Sequence, residues 1–168
     1  MNIILSIEKI EHKIFRIRGK KVMLDKDLAF LYKVRPTALR QQVKRNRERF
    51  PEDFMFQVTE EEVKAMVSQN VIPSKQSLGG YLPYAFTEQG VAMLSSVLRS
   101  RRAILVNIQI MRAFVNLKRM ALTYVELKRK IEAMEKKYDR QFAIVFRAIK
   151  QLLEPPPAKP KPPIGFHT

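Results

Sequence analysis

The sequence predicts an α+β fold, with a small β-hairpin and a helix-turn-helix near the N terminus, further helices, and a long C-terminal coiled-coil helix. Three observations predict it. β-Branched and aromatic residues flank a glycine turn within residues 13–24. Two short amphipathic segments then follow one another across a tight turn, and apolar residues near the C terminus recur at heptad spacing. The 168 residues suit one globular domain with an appendage.

The charge of the chain is high and unevenly distributed. Thirty-two basic residues oppose 16 acidic ones, a net charge of +16, which points to a polyanionic partner such as DNA, RNA or an anionic membrane surface. Residues Lys33–Arg49 hold seven basic residues and one acidic residue, and Arg99–Leu122 hold six and none, so each block carries +6. Phe50–Leu98, with two basic and six acidic residues, carries −4. A solvated helical face explains many charged runs, but two dense blocks in a short chain favour nucleic-acid binding.

The composition excludes several kinds of site. The chain has no cysteine and only two histidines, so we predict no disulfide, no metal site and no cofactor. The N-terminal segment MNIILSIEKIEHK lacks the basic and apolar regions of a signal peptide. The most apolar stretch, Ala103–Val115, is too short and too polar to span a bilayer. We therefore expect a cytoplasmic, nucleoid-associated protein without a membrane partner.

The first predicted element is a β-hairpin over Lys13–Leu24, in which Gly19 adopts the positive φ that a tight turn needs. Four basic side chains crowd the turn. Charge alone leaves open whether they contact DNA phosphates or form a solvated loop tip. These residues are Arg16, Arg18, Lys20 and Lys21.

The next segment predicts a helix-turn-helix. Asp25 is expected to cap a helix over Lys26–Tyr32, Lys33-Val34-Arg35 forms the turn, and a second helix runs from Pro36 to about Arg49. Lys33 takes the place in the turn where glycine is common. Pattern alone leaves an ordinary helical hairpin as the alternative.

The second helix exposes side chains suited to DNA. With Leu39 and Val43 pointing inward, its outer face carries Thr37, Arg40, Gln41, Lys44 and Arg45. Because the N-terminal part of such a helix meets the bases, Arg40 and Gln41 are the predicted base readers. The predicted phosphate contacts are Lys44, Arg45, Arg47 and Arg49.

The middle of the chain predicts structural elements rather than a catalytic site. We expect a short strand within Asp53–Val58, a helix over Glu60–Gln69 that begins with a capping box, a loop over Asn70–Gly80 and a strand over Leu82–Phe86. Thr87 then caps the next helix. Thr87, Glu88 and Ser95 resemble active-site residue types, but no histidine accompanies them, so capping is the expected role of Thr87.

Two long helices are predicted to complete the chain. A helix over Arg101–Leu122 is expected to bury Ile104, Ile108, Met111 and Val115. A second helix over Thr123–Leu153 carries a heptad seam that is interrupted at Gln141. The seam predicts a homodimer, and docking onto the protein's own domain is the alternative. The predicted dimer contacts are Ile131, Met134, Tyr138, Val145 and Leu152.

These elements predict three parts: a DNA-binding domain over residues 1–122, a coiled-coil oligomerisation helix over 123–153, and a disordered tail over 154–168. The tail has six prolines from Pro155 onward, and such a composition cannot pack a core.

Two strings carry a family resemblance. The string IRGKKVMLDKDLAFLYKVRPTALRQQVKRNRERFPEDFMFQVT, followed later by YLPYAFTEQGVAMLSSVLRSRRAILVNIQIMRAFV, resembles the ORF6N domain, a relative of the KilA-N DNA-binding domains of phages and bacteria. The resemblance covers about Ile14 to Val115. It implies a DNA-binding domain that is often encoded by mobile elements, and it implies no established enzymatic activity.

Together these observations predict a non-catalytic protein that binds duplex DNA as a dimer. Its predicted role is that of a transcriptional regulator or a regulator of a phage or mobile element. An antirepressor-type module that binds a repressor protein instead of DNA is the alternative. An enzyme is not expected, because cap and turn roles explain the carboxylate pairs Asp25/Asp27 and Glu52/Asp53.

Overall fold

A computed structural model describes residues 6–137 and 140–155 and confirms the α+β fold. The chain divides into two compact units, residues 1–118 and 119–168. Its elements in chain order are α1 (Ile7–Glu11), β1 (Ile14–Ile17), β2 (Lys20–Leu24), α2 (Asp25–Tyr32), α3 (Pro36–Arg45), a 3-10 helix (Arg47–Arg49), β3 (Met55–Gln57), α4 (Glu60–Ser68), a 3-10 helix (Lys75–Leu78), β4 (Tyr84–Thr87), α5 (Glu88–Val97), α6 (Arg101–Lys137) and α7 (Arg140–Leu153).

The four strands form one antiparallel sheet in the order β1-β2-β4-β3. The predicted hairpin is confirmed, with Ile17 opposite Lys20. Both turn residues have positive φ, 53° at Arg18 and 71° at Gly19. Two successive left-handed residues make a type I′ turn, whose twist matches that of the flanking strands.

Each face of the sheet has its own apolar core. Because successive side chains point to opposite faces of a strand, neighbouring residues of β2 belong to different cores. Met23 packs on the face covered by α2, α3, α5 and the first part of α6. Val22 packs on the face covered by α4 and the segment around Ile72 and Leu78.

The junction between β4 and α5 holds the segment before β3 in place. The predicted cap is confirmed, because the Thr87 hydroxyl oxygen accepts the Gly90 N–H at 3.3 Å. The Thr87 hydroxyl donates to the Asp53 carbonyl at 2.8 Å, and the Thr87 N–H donates to the Phe54 carbonyl at 3.0 Å. A Cβ atom at Gly90 would overlap that same carbonyl oxygen, so a glycine is required for this approach. The predicted capping box between Thr59 and Glu62 is also present.

The helix-turn-helix is present as α2, a three-residue turn and α3. Lys33 ends α2 in the left-handed conformation, with φ 55°. The Val34 N–H donates to the Ala29 carbonyl at 3.0 Å and the Lys33 N–H to the Phe30 carbonyl at 3.2 Å. This pair of bonds is a Schellman motif. Lys33 thus adopts the backbone conformation for which glycine is the usual residue.

Two predicted bounds in this region are wrong. Asp25 does not cap α2; it is the first residue of α2 and lies buried. The second helix ends at Arg45 rather than about Arg49. Asn46 is the C-cap, with non-helical φ −115°, and its side-chain amide donates to the Gln42 carbonyl at 2.8 Å. Arg47 and Arg49 therefore lie on a separate 3-10 helix.

The predicted buried stripe of α6 is also wrong. Ile104, Ile108 and Val115 are exposed, and Met111 is only partly buried. Alanines at positions 103 and 113 lie in the core instead. The residues that α6 buries are Ala103, Val106, Asn107, Ile110, Ala113 and Phe114.

The boundary between the two C-terminal helices lies after Lys137, not between Leu122 and Thr123 as predicted. α6 continues through Leu122 and Thr123, and the Thr123 hydroxyl donates to the Arg119 carbonyl at 3.0 Å inside the helix rather than capping a new one. Within the second unit, Lys128 pairs with Glu154 at 3.7 Å and Lys150 with Glu132 at 3.5 Å.

These two ion pairs show that α7 runs antiparallel to the end of α6. In one continuous helix, positions 128 and 154 would stand about 39 Å apart. The single helix predicted over Thr123–Leu153 is therefore wrong. Of its predicted dimer contacts, Ile131 and Met134 lie on α6, and Val145 and Leu152 lie on α7. Tyr138 and the tail from residue 156 lie outside the described residues.

Replacing Lys33 by glycine should stabilise the protein. A left-handed conformation costs an L-residue about 1 kcal/mol or more, and part of that gain is lost to the greater freedom of glycine in the unfolded chain. We expect Lys33→Gly to raise the free energy of unfolding by about 0.5 kcal/mol in urea titrations. Arg35→Gly is the matched control, since Arg35 lies in the same turn at φ −69° and should lose stability on substitution. A loss of stability in Lys33→Gly would contradict this account of the turn.

Candidate nucleic-acid interface

The outer face of α3 presents polar and basic side chains that the fold leaves free. Leu39 and Val43 are buried and anchor the opposite face of the helix. The free side chains form no hydrogen bond or ion pair within the described residues, so they are available to a ligand. They are Thr37, Gln41, Lys44 and Arg45, all exposed.

Arg40, the other predicted base reader, is engaged by the protein itself. Its Nε donates to Oδ2 of Asp25 at 2.6 Å, and the side chains are 19% and 1% exposed respectively. The other oxygen of Asp25 accepts the Lys26 N–H at 2.8 Å. Arg40 therefore joins α3 to the start of α2. A contact between Arg40 and a base stays a prediction. The Nε–H group of Arg40 is not available for it, because it already donates to Asp25.

A groove runs alongside the outer face of α3. Its volume is about 610 Å³. α3 and the following 3-10 helix form one wall, and β3 together with the segment around Pro83 forms the other. The Arg40 guanidinium lies over the Tyr81 ring, 4.9 Å from its centroid. The groove is lined by Thr37, Arg40, Gln41, Val43, Lys44, Arg47, Gln57, Tyr81, Leu82 and Tyr84. We call it the α3 groove.

The hairpin turn borders a second groove that adjoins the first. This groove, of about 580 Å³, is lined by Arg18 and Lys20 of the hairpin, by the acidic residues Glu52 and Asp53, and by Arg47 and Gln57, both of which also line the α3 groove. The structure therefore brings the two predicted basic regions onto adjoining surfaces. The cation that links them is Arg47, whose side chain makes no hydrogen bond within the described residues.

The basic residues of the hairpin differ in whether their side chains are already paired within the protein. Arg18 donates to both carboxylate oxygens of Glu62, at 2.7 and 3.1 Å, and lies 4.3 Å from the centroid of the Phe56 ring. This hydrogen bond holds the pKa of the Glu62 carboxyl below its usual range and raises the pKa of Arg18. Arg18 therefore fastens the turn to α4, whereas Lys20 is exposed and unpaired within the described residues.

Other predicted contacts point away from the α3 groove. Arg16 and Lys21 stand opposite one another in the hairpin, and Lys21 lines a different cavity with Lys20 and Lys118. Arg49 donates to the Ser96 hydroxyl of α5 at 3.3 Å. The predicted DNA-contacting residues thus do not form one patch: those of α3, with Arg47 and Lys20, lie together, while Arg16, Lys21 and Arg49 lie apart from them.

Two tyrosines of the α3 groove were missed at the sequence level. Tyr81 follows the expected loop and Tyr84 lies within the expected strand, so neither was considered a ligand contact. No local pattern marked them, because β4 is an interior strand of the sheet and only the fold brings its N-terminal end beside α3. Tyr81 is 64% exposed.

Three further observations concern the acidic, hydroxyl-bearing and apolar residues that the structure describes. Over residues 6–137 and 140–155, no three His, Asp or Glu side chains stand close enough to hold a metal ion. The hydroxyls of Thr87 and Ser95 donate to backbone carbonyls. No helix within these ranges has the length and apolar character to cross a membrane.

Comparison with known proteins gives one match. A family model described as "ORF6N domain" matches residues 12–97, about half of the chain. The match runs from His12, two residues before β1, to the end of α5 and so contains the α3 groove. No curated protein and no solved structure matches the chain.

The ion pair between Arg40 and Asp25 predicts a large difference between neighbouring substitutions. Arg40→Ala leaves a buried carboxylate without its partner, so the free energy of unfolding should fall by about 3 kcal/mol. Gln41→Ala, on the exposed face of the same helix, should change it by less than about 0.5 kcal/mol. Urea unfolding of both variants measures the difference.

A double variant controls for the lost packing of the arginine stem. Asp25→Asn combined with Arg40→Ala leaves no charge buried and should recover part of the stability that Arg40→Ala loses. Equal stabilities of Arg40→Ala and Gln41→Ala would show that the ion pair contributes nothing to the fold.

Proposed function

The chain belongs to the ORF6N domain family, and we propose that it is a non-catalytic DNA-binding protein that holds duplex DNA through the exposed face of α3. One observation carries the proposal: Gln41, Lys44 and Arg45 stand exposed and unpaired within the described residues, on a helix anchored by buried neighbours in a helix-turn-helix. In this proposal the protein regulates transcription, or regulates a phage or a mobile element, and therefore acts at the nucleoid.

The geometry of α3 supports a division of labour along the helix. In a helix-turn-helix, the N-terminal part of the second helix meets base edges in the major groove. Thr37 and Gln41 occupy that part, and a glutamine amide pairs bidentately with adenine. Lys44, Arg45 and Arg47 follow near its C-terminal end, where basic side chains contact phosphates.

The hairpin supplies a second phosphate contact. Lys20 is exposed at the turn and lines the groove that adjoins α3 through Arg47. Arg18 is ion-paired with Glu62. Its contribution is therefore to hold the turn rather than to bind phosphate directly. Arg16 and Lys21 stand opposite one another in the hairpin and add basic charge outside the α3 groove, on the same face of the sheet as Met23.

We propose that the second unit supplies dimerisation. Within that unit, α7 exposes a broad apolar face, with Ile144 76% and Leu152 85% exposed. Val145 and, on α6, Met134 are exposed as well. Apolar side chains at this exposure are stabilised by burial against a second copy, at about 25 cal/mol per Å². A dimer would present two α3 helices to two half-sites.

A protein partner is the second candidate, and a specific observation favours it. Ile104, Ile108 and Val115 form an exposed apolar stripe on α6, on the side of the helix away from the core. Such a stripe is typical of a surface that binds another protein. An antirepressor-type module would use it to hold a repressor in place of DNA.

The affinity for DNA should depend on salt through Lys44. Each phosphate contact that is removed lowers the slope of log K against log salt by about 1, so Lys44→Ala should show that reduction in fluorescence anisotropy titrations with duplex DNA. Lys64→Ala is the matched control, because Lys64 is equally exposed but lies on α4, across the sheet from α3. The control should keep the full slope.

Binding without salt dependence, or no binding to duplex DNA, would contradict the proposed function. The second candidate would then be the one to pursue. An equal reduction of the salt slope in Lys44→Ala and Lys64→Ala would show that DNA affinity depends on the total charge of the chain and not on the face of α3.

The mass in solution tests the proposed dimer. Sedimentation equilibrium should give twice the chain mass of 19.7 kDa for the natural sequence. Leu152→Glu places a charge in the proposed contact and should give the monomer mass. Gln151→Glu adds the same charge at the neighbouring exposed position and should leave the dimer intact. A monomer mass for the natural sequence would remove dimerisation from the proposal.

A further inference from the structure

The α3 groove has a second wall beside α3, which a helix that only reads duplex DNA does not need. A recognition helix reads base edges when it protrudes into the major groove. Here a second wall stands beside the helix, formed by Tyr81, Leu82 and Tyr84 with Gln57 of β3. The volume of about 610 Å³ lies within the range of sites that hold small organic groups, about 300–1,000 Å³.

Tyr81 offers a ring face for stacking. The Arg40 guanidinium lies 4.9 Å from the centroid of this ring, and the tyrosine is nevertheless 64% exposed. The ion pair with Asp25 holds Arg40, and Arg40 in turn holds the ring. Aromatic side chains arranged in this way are platforms for unpaired nucleobases.

Cations and an amide surround this platform. Lys44 and Arg47 line the same groove, and neither has an ion-pair partner within the described residues. Gln41 faces the same space from α3. Gln57 is held in place, because its Nε2 donates to the Leu82 carbonyl at 3.3 Å. Stacking surface, amide groups and phosphate-binding cations are the three parts of a site for an unpaired nucleotide.

We propose that the α3 groove holds one unpaired nucleobase of a DNA strand, stacked on Tyr81, with its flanking phosphates on Lys44 and Arg47. This inference rests on the proposed function and goes further, because it makes unpaired DNA the preferred form of the ligand. Charge favours this occupant over an apolar peptide side chain, since Lys44 and Arg47 line the groove without ion-pair partners in the described residues and no acidic residue lines it.

The test compares two DNA probes on the full-length protein. One is a fully paired duplex of mixed sequence, and the other is the same duplex with one unpaired thymidine at its centre. Stacking of one base on an aromatic side chain corresponds to about five- to hundredfold in affinity. We expect the probe with the unpaired base to bind at least about fivefold more tightly in anisotropy titrations.

Variants of Tyr81 assign the preference to the groove. Tyr81→Ala should reduce the preference to about onefold while changing the affinity for the paired duplex less than about twofold. Tyr81→Phe keeps the ring and should keep the preference. Phe30→Ala is the matched control: Phe30 is also 64% exposed and also has a cation over its ring, Lys13 Nζ at 5.3 Å, but it lies on α2 outside the groove. Thermal unfolding of each variant checks that the fold is kept.

The outcomes separate this inference from the proposed function. Equal affinity for both probes, or a preference that survives Tyr81→Ala, would overturn the nucleobase site and leave duplex binding standing. A loss of the preference in Phe30→Ala as well would also overturn it. Failure of both probes to bind would overturn the proposed function, and the nucleobase site with it.

Discussion

The buried ion pair between Asp25 and Arg40 is the interaction on which the candidate site depends. Asp25 follows directly on β2 and opens α2, while Arg40 comes from α3, so one contact joins the sheet to both helices of the helix-turn-helix. Removing a carboxylate from water costs several kcal/mol. Arg40 and the Lys26 N–H offset that cost by satisfying one oxygen each, at 2.6 and 2.8 Å.

The same contact shapes the surface that the protein offers to a ligand. Because Arg40 is held from one side by Asp25, its guanidinium can lie over Tyr81 and fix the far wall of the α3 groove. The start of α2 holds the adjacent segment too, since the Lys26 ammonium donates to the Ser77 carbonyl. The free side chains of α3 therefore border a groove with defined walls, rather than standing on an open helix face.

The packing of α6 against the helix-turn-helix depends on polar contacts inside the core. The Tyr32 hydroxyl donates to Oδ1 of the Asn107 side chain, and burial raises the pKa of Tyr32 above its ordinary value. Arg102 donates to the Leu31 carbonyl at 3.0 Å. Both contacts join α6 to α2, and Ile104, Ile108 and Val115 of α6 are exposed.

The sequence by itself determined the local elements, because turn chemistry, caps and periodicity act over a few residues. The hairpin turn at Gly19, the cap at Thr87 and the inward Leu39 and Val43 were all predictable in this way, and so was the family. Only the tertiary structure decided which side of α6 is buried, that α7 folds back on α6, and that Arg40 is held by Asp25. Each of these depends on residues far apart in the chain, whose pairing no local pattern records; Arg40 looked like any exposed arginine of a basic helix until the fold brought a buried carboxylate to it.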